Sequence, residues 1–208
     1  MGPASGEDGG KRVVFVAMFL YFFCYLAVEK GGGDWMATYS IAATGAAKAE
    51  GAFATSALWG SLMVMRFLSI PIAACVSLPR FLAALFALSV VSCLALALFG
   101  GTSYGTLIIC VVGIGAGLSS MYPMGILFAK TRVDFSGSEI SRFVVGGTIS
   151  AMVTPALLGL TMSGDAAGFS WALTVFMVLM AVSFAVVLLQ PPLAPPHQDA
   201  TEVAEAKP

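Results

Sequence analysis

Histidine occurs once in these 208 residues, at His197 close to the C-terminus. That excludes a His-based metal site from the body of the chain, together with Ser-His and Cys-His catalytic pairs. Charge is scarce too: only 10% of residues are Asp, Glu, Lys or Arg, and the net charge is −1. The few Lys and Arg stand mostly at the ends of apolar runs, so no basic patch exists for a nucleic-acid backbone. The four cysteines, Cys24, Cys75, Cys93 and Cys110, have no metal or redox spacing. All four lie within apolar segments, where a thiol behaves as a small hydrophobe. No catalytic set, resident metal or cofactor is expected.

What the chain does have is apolar length. Hydrophobic residues make up 59% of it, and the mean hydropathy is +0.94. Six apolar stretches run over 13–30, 52–77, 81–99, 104–129, 140–163 and 169–190. A spanning helix needs about 20 mainly apolar residues. The expected fold is therefore an all-α, integral, multi-pass membrane domain of six helices over 13–190, in a membrane the sequence does not specify. Residues 1–12 and 191–208 are polar and Gly- or Pro-rich, and are expected to be disordered. The first apolar run is too long for a cleaved signal peptide.

With the N-terminus inside, Lys11, Arg12, Arg80, Lys130, Arg132 and Arg142 face the cytosol. Lys48, and Lys30 at a span's end, fall on the other side, so the positive-inside rule predicts cytoplasmic termini. Segments 3 and 6 contain no Gly, Pro or charge, which suits lipid-facing helices. The order then reads as two three-helix repeats, each ending in a peripheral helix.

Tyr21, Tyr25 and Glu29 are spaced i, i+4, i+8 and form one stripe on segment 1. Two phenols and a carboxylate suit sugar hydroxyls, a cation or a proton. The same residues also suit an interfacial Glu beside Lys30 with ordinary belt tyrosines. Gly31, Gly32 and Gly33 each weaken a helix by about 1 kcal/mol relative to Ala. They are expected to end segment 1, as an outer-gate hinge or a plain loop. Arg66 lies inside segment 2, offset from Glu29 by on the order of 15 Å along the membrane normal. It is expected to bond backbone carbonyls or loop acids such as Asp134 or Glu139 rather than Glu29, and Pro71 should kink its helix. Segment 4 carries Gly113, Gly115 and Gly117, then Ser119, Ser120, Tyr122 and Pro123; segment 5 carries Gly146, Gly147 and Pro155. The glycines allow close helix approach, and each proline frees backbone carbonyls that neighbours must satisfy.

Three runs carry a family resemblance: Leu20–Tyr39, Ala54–Pro71, and the pair Gly113–Ala129 with Phe143–Gly159. Together they resemble the C-terminal six-helix half of a major facilitator superfamily transporter, in its fucose-permease-like / sodium-dependent glucose transporter 1 branch. Met65 replaces the usual Gly before the Arg, Lys30 and Asp34 charge the glycine patch, and the Asp-Arg-Gly-Arg loop signature is missing. The resemblance implies a secondary transporter that moves a small polar solute, a sugar, by alternating access. It also implies a missing six-helix N-terminal half, or a second copy, as partner, with Na⁺ or H⁺ as the coupling ion. Tyr21, Tyr25, Glu29, Ser120 and Tyr122 are the expected substrate-binding residues. Gly31, Gly32, Gly33, Arg66, Pro123 and Pro155 are the expected gating residues. The competing reading is a truncated, non-transporting membrane scaffold; an embedded enzyme lacks the paired acids or histidines it would need.

Overall fold

The computed structural model describes residues 4–133, 135–163 and 165–191. All of its regular elements are helical: α1 (Ala4–Leu26), a wide π-type turn (Ala27–Gly31), α2 (Gly32–Thr44), α3 (Lys48–Cys75), α4 (Leu78–Phe99), α5 (Tyr104–Leu118), α6 (Met121–Lys130), α7 (Gly137–Met162) and α8 (Ala166–Leu189). Six rods among them are long and apolar enough to cross a bilayer: α1–α2, α3, α4, α5–α6, α7 and α8. Short turns join them, so neighbouring spans run antiparallel. Residues 4–12 already belong to α1, where disorder was expected. The tail beyond residue 191, and Asp134, lie outside the described residues.

The first rod departs most from the sequence reading. It does not end at the glycines but continues to Thr44, where Gly45 caps it with φ +69°. The cost of three helical glycines is offset by what they touch. A Cβ on Gly31 would stand 2.6 Å from Leu158 of α7, one on Gly32 3.5 Å from Leu173 of α8, and one on Gly33 2.8 Å from Trp59 of α3. The triplet thus lets three helices close onto one turn. Helix–helix contact, not chain reversal, is the reason no side chain stands there.

α4 and α8 are not the most outlying helices of this chain. They pack on each other through Phe86 and Phe184, whose rings stack 4.9 Å apart, and the Thr174 hydroxyl donates to the Cys93 carbonyl at 3.1 Å. The bare helices are α3 and α7. Only 17% of the most apolar stretch of α3 and 33% of that of α7 are buried, against 39% for both α4 and α8. Phe67 and Ile70 on α3 and Met152 and Leu160 on α7 are among the exposed large side chains. A helix that is apolar all round does not announce which face its neighbours cover.

At the end of the bundle that carries the chain termini, Ser136 and Glu139 form a capping box on α7. Lys11 of α1 pairs with Glu139 at 3.1 Å, tying the starts of the two helices together.

Candidate functional site

The site begins with a proline. Pro123 has no N–H, so the carbonyl of Ser119 four residues earlier loses its helical donor. The rod breaks there: α5 stops at Leu118 and α6 starts at Met121. Side chains from two other helices donate to carbonyls at the break, that of Ser119 among them. Tyr21 donates to the Met121 carbonyl at 2.8 Å, Tyr25 to that of Leu118 at 3.3 Å, and Arg66 Nε to that of Ser119 at 2.7 Å. The Ser120 hydroxyl donates to Ser69 Oγ at 2.6 Å, and Ser69 in turn donates to the Arg66 carbonyl. Both the side chain and the main chain of Arg66 are therefore tied to the break. The Ser119 hydroxyl is buried there without a partner among the described residues.

Beside the break lies a cavity of about 270 Å³ lined by Tyr25, Leu26, Glu29, Arg66 and Tyr122. Glu29 and Arg66 open on the same space, contrary to the offset expected from the sequence. The reason is the continuous first rod. Measured from the turn joining α2 to α3, Glu29 lies roughly 22 Å and Arg66 roughly 27 Å into the bundle at 1.5 Å per residue, so the two share one level. They do not close an ion pair among the described residues, yet the Tyr25 hydroxyl lies in the field of both.

Tyr25, Glu29 and Tyr122 thus line the cavity together. Tyr21 and Ser120 stand behind it, buried. Arg66, expected in a gate, is part of the cavity wall. Gly31, Gly32 and Gly33 are packing contacts in a continuous helix, and Pro123 follows the break. The Pro155 carbonyl accepts from Trp35 Nε1 at 2.7 Å, joining α2 to α7.

Two further charges stand close by on the first rod. Lys30 lies with its Nζ 4.7 Å from the centre of the Trp59 ring, and Asp34 follows one helical turn later. Lys30, Asp34 and Arg66 are exposed and Glu29 is half-buried. The Lys30–Asp34 spacing of i, i+4 was visible in the sequence, but it reads as loop polarity once the glycines are taken for a break. Among the described residues, no group of three His, Cys, Asp or Glu side chains gathers into a metal set.

The chain is similar to sodium-dependent glucose transporter 1A of Mus musculus, with 26% identity over 163 residues, covering 76% of this chain and 38% of that protein. Sodium-dependent glucose transporter 1 of Xenopus laevis is 30% identical over 153 residues, covering 71% and 30% respectively. The Danio rerio protein of the same name is 31% identical over 135 residues, covering 65% and 23%. The chain therefore spans less than half the length of the curated relatives it matches. No family model matches the chain, and no solved structure does. These relatives are transporters rather than enzymes, and the six apolar rods agree with them: the chain is an integral, multi-pass membrane protein related to the sodium-dependent glucose transporter 1 proteins.

Proposed function

We propose that this chain is the C-terminal half of a secondary transporter of the major facilitator type, and that it moves a sugar by alternating access. The observation that carries the reading is the meeting of half-buried Glu29 and exposed Arg66 on one cavity, with exposed Lys30 and Asp34 close by on the first rod. A charge at the centre of a bilayer costs about 2.5–3.5 kcal/mol even on a permissive scale. Four of them within a few helical turns of one another require water and further protein on that side rather than lipid. One acid, Glu29, and one base, Arg66, leave the cavity wall neutral overall, which suits an uncharged, polyhydroxylated solute. Tyr25 and Tyr122 add ring faces for the C–H faces of a sugar.

The bare faces of α3 and α7 border this level, and a second six-helix half is the partner that covers them. Of the three rods that reach the cavity, the first widens at the turn Ala27–Gly31 and another breaks after Leu118. Such interruptions line substrate sites in transporters because they leave backbone groups free near the midplane. The termini face the cytosol in this reading, as the concentration of Lys and Arg at that end supports. The coupling ion is Na⁺, by analogy with the relatives' printed name, with H⁺ as the competitor.

The test is uptake of radiolabelled glucose into vesicles by the complete carrier, with Na⁺ replaced by choline and the proton gradient collapsed in separate arms. Loss of uptake on Na⁺ removal supports the reading. Saturable uptake of an anionic or cationic solute in place of glucose would sink the sugar assignment.

A further inference from the structure

We infer that a second cavity, at the end of the bundle where α2 turns into α3, binds a small organic ammonium group. Its volume is about 350 Å³, and its polar lining comes from Tyr39 of α2, Thr102 of the α4–α5 turn, and Asp165 and Ser170 at the start of α8. None of these residues lines the Glu29–Arg66 cavity. Alanines, Gly101 and Leu98 form the remaining wall.

The direction of the hydrogen bonds selects the ligand. The Thr102 hydroxyl already donates to the Phe99 carbonyl at 2.7 Å, and the Ser170 hydroxyl donates to that of Ala167 at 3.0 Å. Tyr39 donates to the Leu96 carbonyl, at 3.5 Å. With their protons committed, the Thr102 and Ser170 oxygens present only lone pairs, and the loosely bonded Tyr39 hydroxyl presents its lone pairs as well. Asp165 is the only charged residue in the lining. Its Oδ1 accepts from the Ala167 N–H at 3.1 Å as the helix cap. The other carboxylate oxygen has no recorded partner among the described residues. The side chains therefore offer mainly acceptors and one negative charge, with Tyr39 the one hydroxyl able to turn its proton inward. A sugar or an anion brings more lone pairs than that one hydroxyl can satisfy. A primary ammonium brings three donors, a positive charge and no acceptor.

Size separates this ligand from a bare metal ion. The space is roughly ten times the share of one water in the liquid and falls in the range of small-molecule sites, about 300–1,000 Å³. Tyr39 supplies an independent pointer. Its side chain is 2% exposed, yet its bond to the Leu96 carbonyl sits at the outer limit of useful distance. A buried phenol whose own bond is this long is unusual, and an ammonium would donate to its oxygen. The wall includes Leu98, 58% exposed, and the site lies at the helix ends, at the depth of lipid headgroups. The ammonium can come from an ethanolamine headgroup or from a soluble amine.

The experiment places the chain in phosphatidylglycerol nanodiscs and follows thermal unfolding by tryptophan fluorescence. Ethanolamine is titrated against choline, ethylene glycol and sodium chloride at matched ionic strength. Saturable stabilisation by ethanolamine is expected, with little effect of choline, which has no N–H, or of the neutral glycol. Asp165→Asn retains a good helix cap and should weaken the ethanolamine response at least tenfold. Tyr39→Phe should weaken it severalfold while leaving the ring packed against Phe169. Native mass spectrometry in mixed lipid separates the sources. Retention of phosphatidylethanolamine that Asp165→Asn abolishes identifies the lipid, and ethanolamine stabilisation without such retention identifies a soluble amine. An equal response to choline, glycol or salt overturns the inference. So does an ethanolamine response untouched by both substitutions, or no response together with no retention.

Discussion

Arg66 stands in for the backbone donor that Pro123 cannot supply: its Nε–H reaches the Ser119 carbonyl at 2.7 Å from another helix. A proline on one rod and an arginine on another therefore form a single structural unit. Arg66→Ala should cost about 1–3 kcal/mol of stability, the usual penalty for stranding a buried acceptor. Pro123→Ala restores a local N–H and should recover much of that loss. A double-mutant cycle in detergent unfolding measures the coupling, and strictly additive effects would show that the two residues are independent.

Tyr21 and Tyr25 make similar bonds to the break, but only Tyr25 lines the cavity. Tyr21→Phe should cost about 1 kcal/mol of stability and leave the KM for uptake unchanged in the complete carrier. Tyr25→Phe should raise that KM severalfold. Thermal unfolding and uptake kinetics on the two variants separate the roles.

Glu29→Gln keeps the size of the side chain and removes its charge. Uptake by the complete carrier should fall tenfold or more, with membrane insertion and unfolding midpoint intact. Unchanged uptake and ion dependence would remove Glu29 from the transport site.

Two glycines on neighbouring rods make opposite predictions. A Cβ on Gly33 would meet the Trp59 ring at 2.8 Å, whereas one on Gly60 would meet nothing within 4 Å. Gly33→Val should destabilise the bundle by about 1–3 kcal/mol through overpacking. Gly60→Ala should be neutral or slightly stabilising in the chain alone. Denaturant unfolding of the two variants checks both signs.

Cys75 is the one exposed cysteine; Cys24, Cys93 and Cys110 are buried. It sits at the end of the bundle shared with the chain termini. With cytoplasmic termini, a membrane-impermeant maleimide should label Cys75 only after cells are permeabilised. Labelling of intact cells would invert the topology.

The six rods were legible because each carries an unbroken apolar run, and the pairing of Tyr25 with Glu29 because i, i+4 spacing survives folding. The meeting of Glu29 with Arg66 was not legible. It depends on whether a helix passes through Gly31–Gly33, and local propensity argues against that. Leu158, Leu173 and Trp59, distant in sequence, decide the matter by packing where side chains are missing. Arg66 was expected to find backbone carbonyls, and it does. Which carbonyl depended on where α5 breaks, and α5 ends before Pro123 rather than at it.

The unbroken course from Ala4 to Thr44 has a dimensional consequence. At 1.5 Å per residue it is about 60 Å long, whereas a bilayer with its headgroups is about 40–45 Å thick. A tilt of about 20° shortens the projection by only a few ångströms. The rod must overhang the membrane at one face or both, so its outermost turns sit among headgroups or in water. The Lys11–Glu139 pair then lies at a wetted boundary rather than in hydrocarbon, and strong salt should loosen that end of the bundle before any other part.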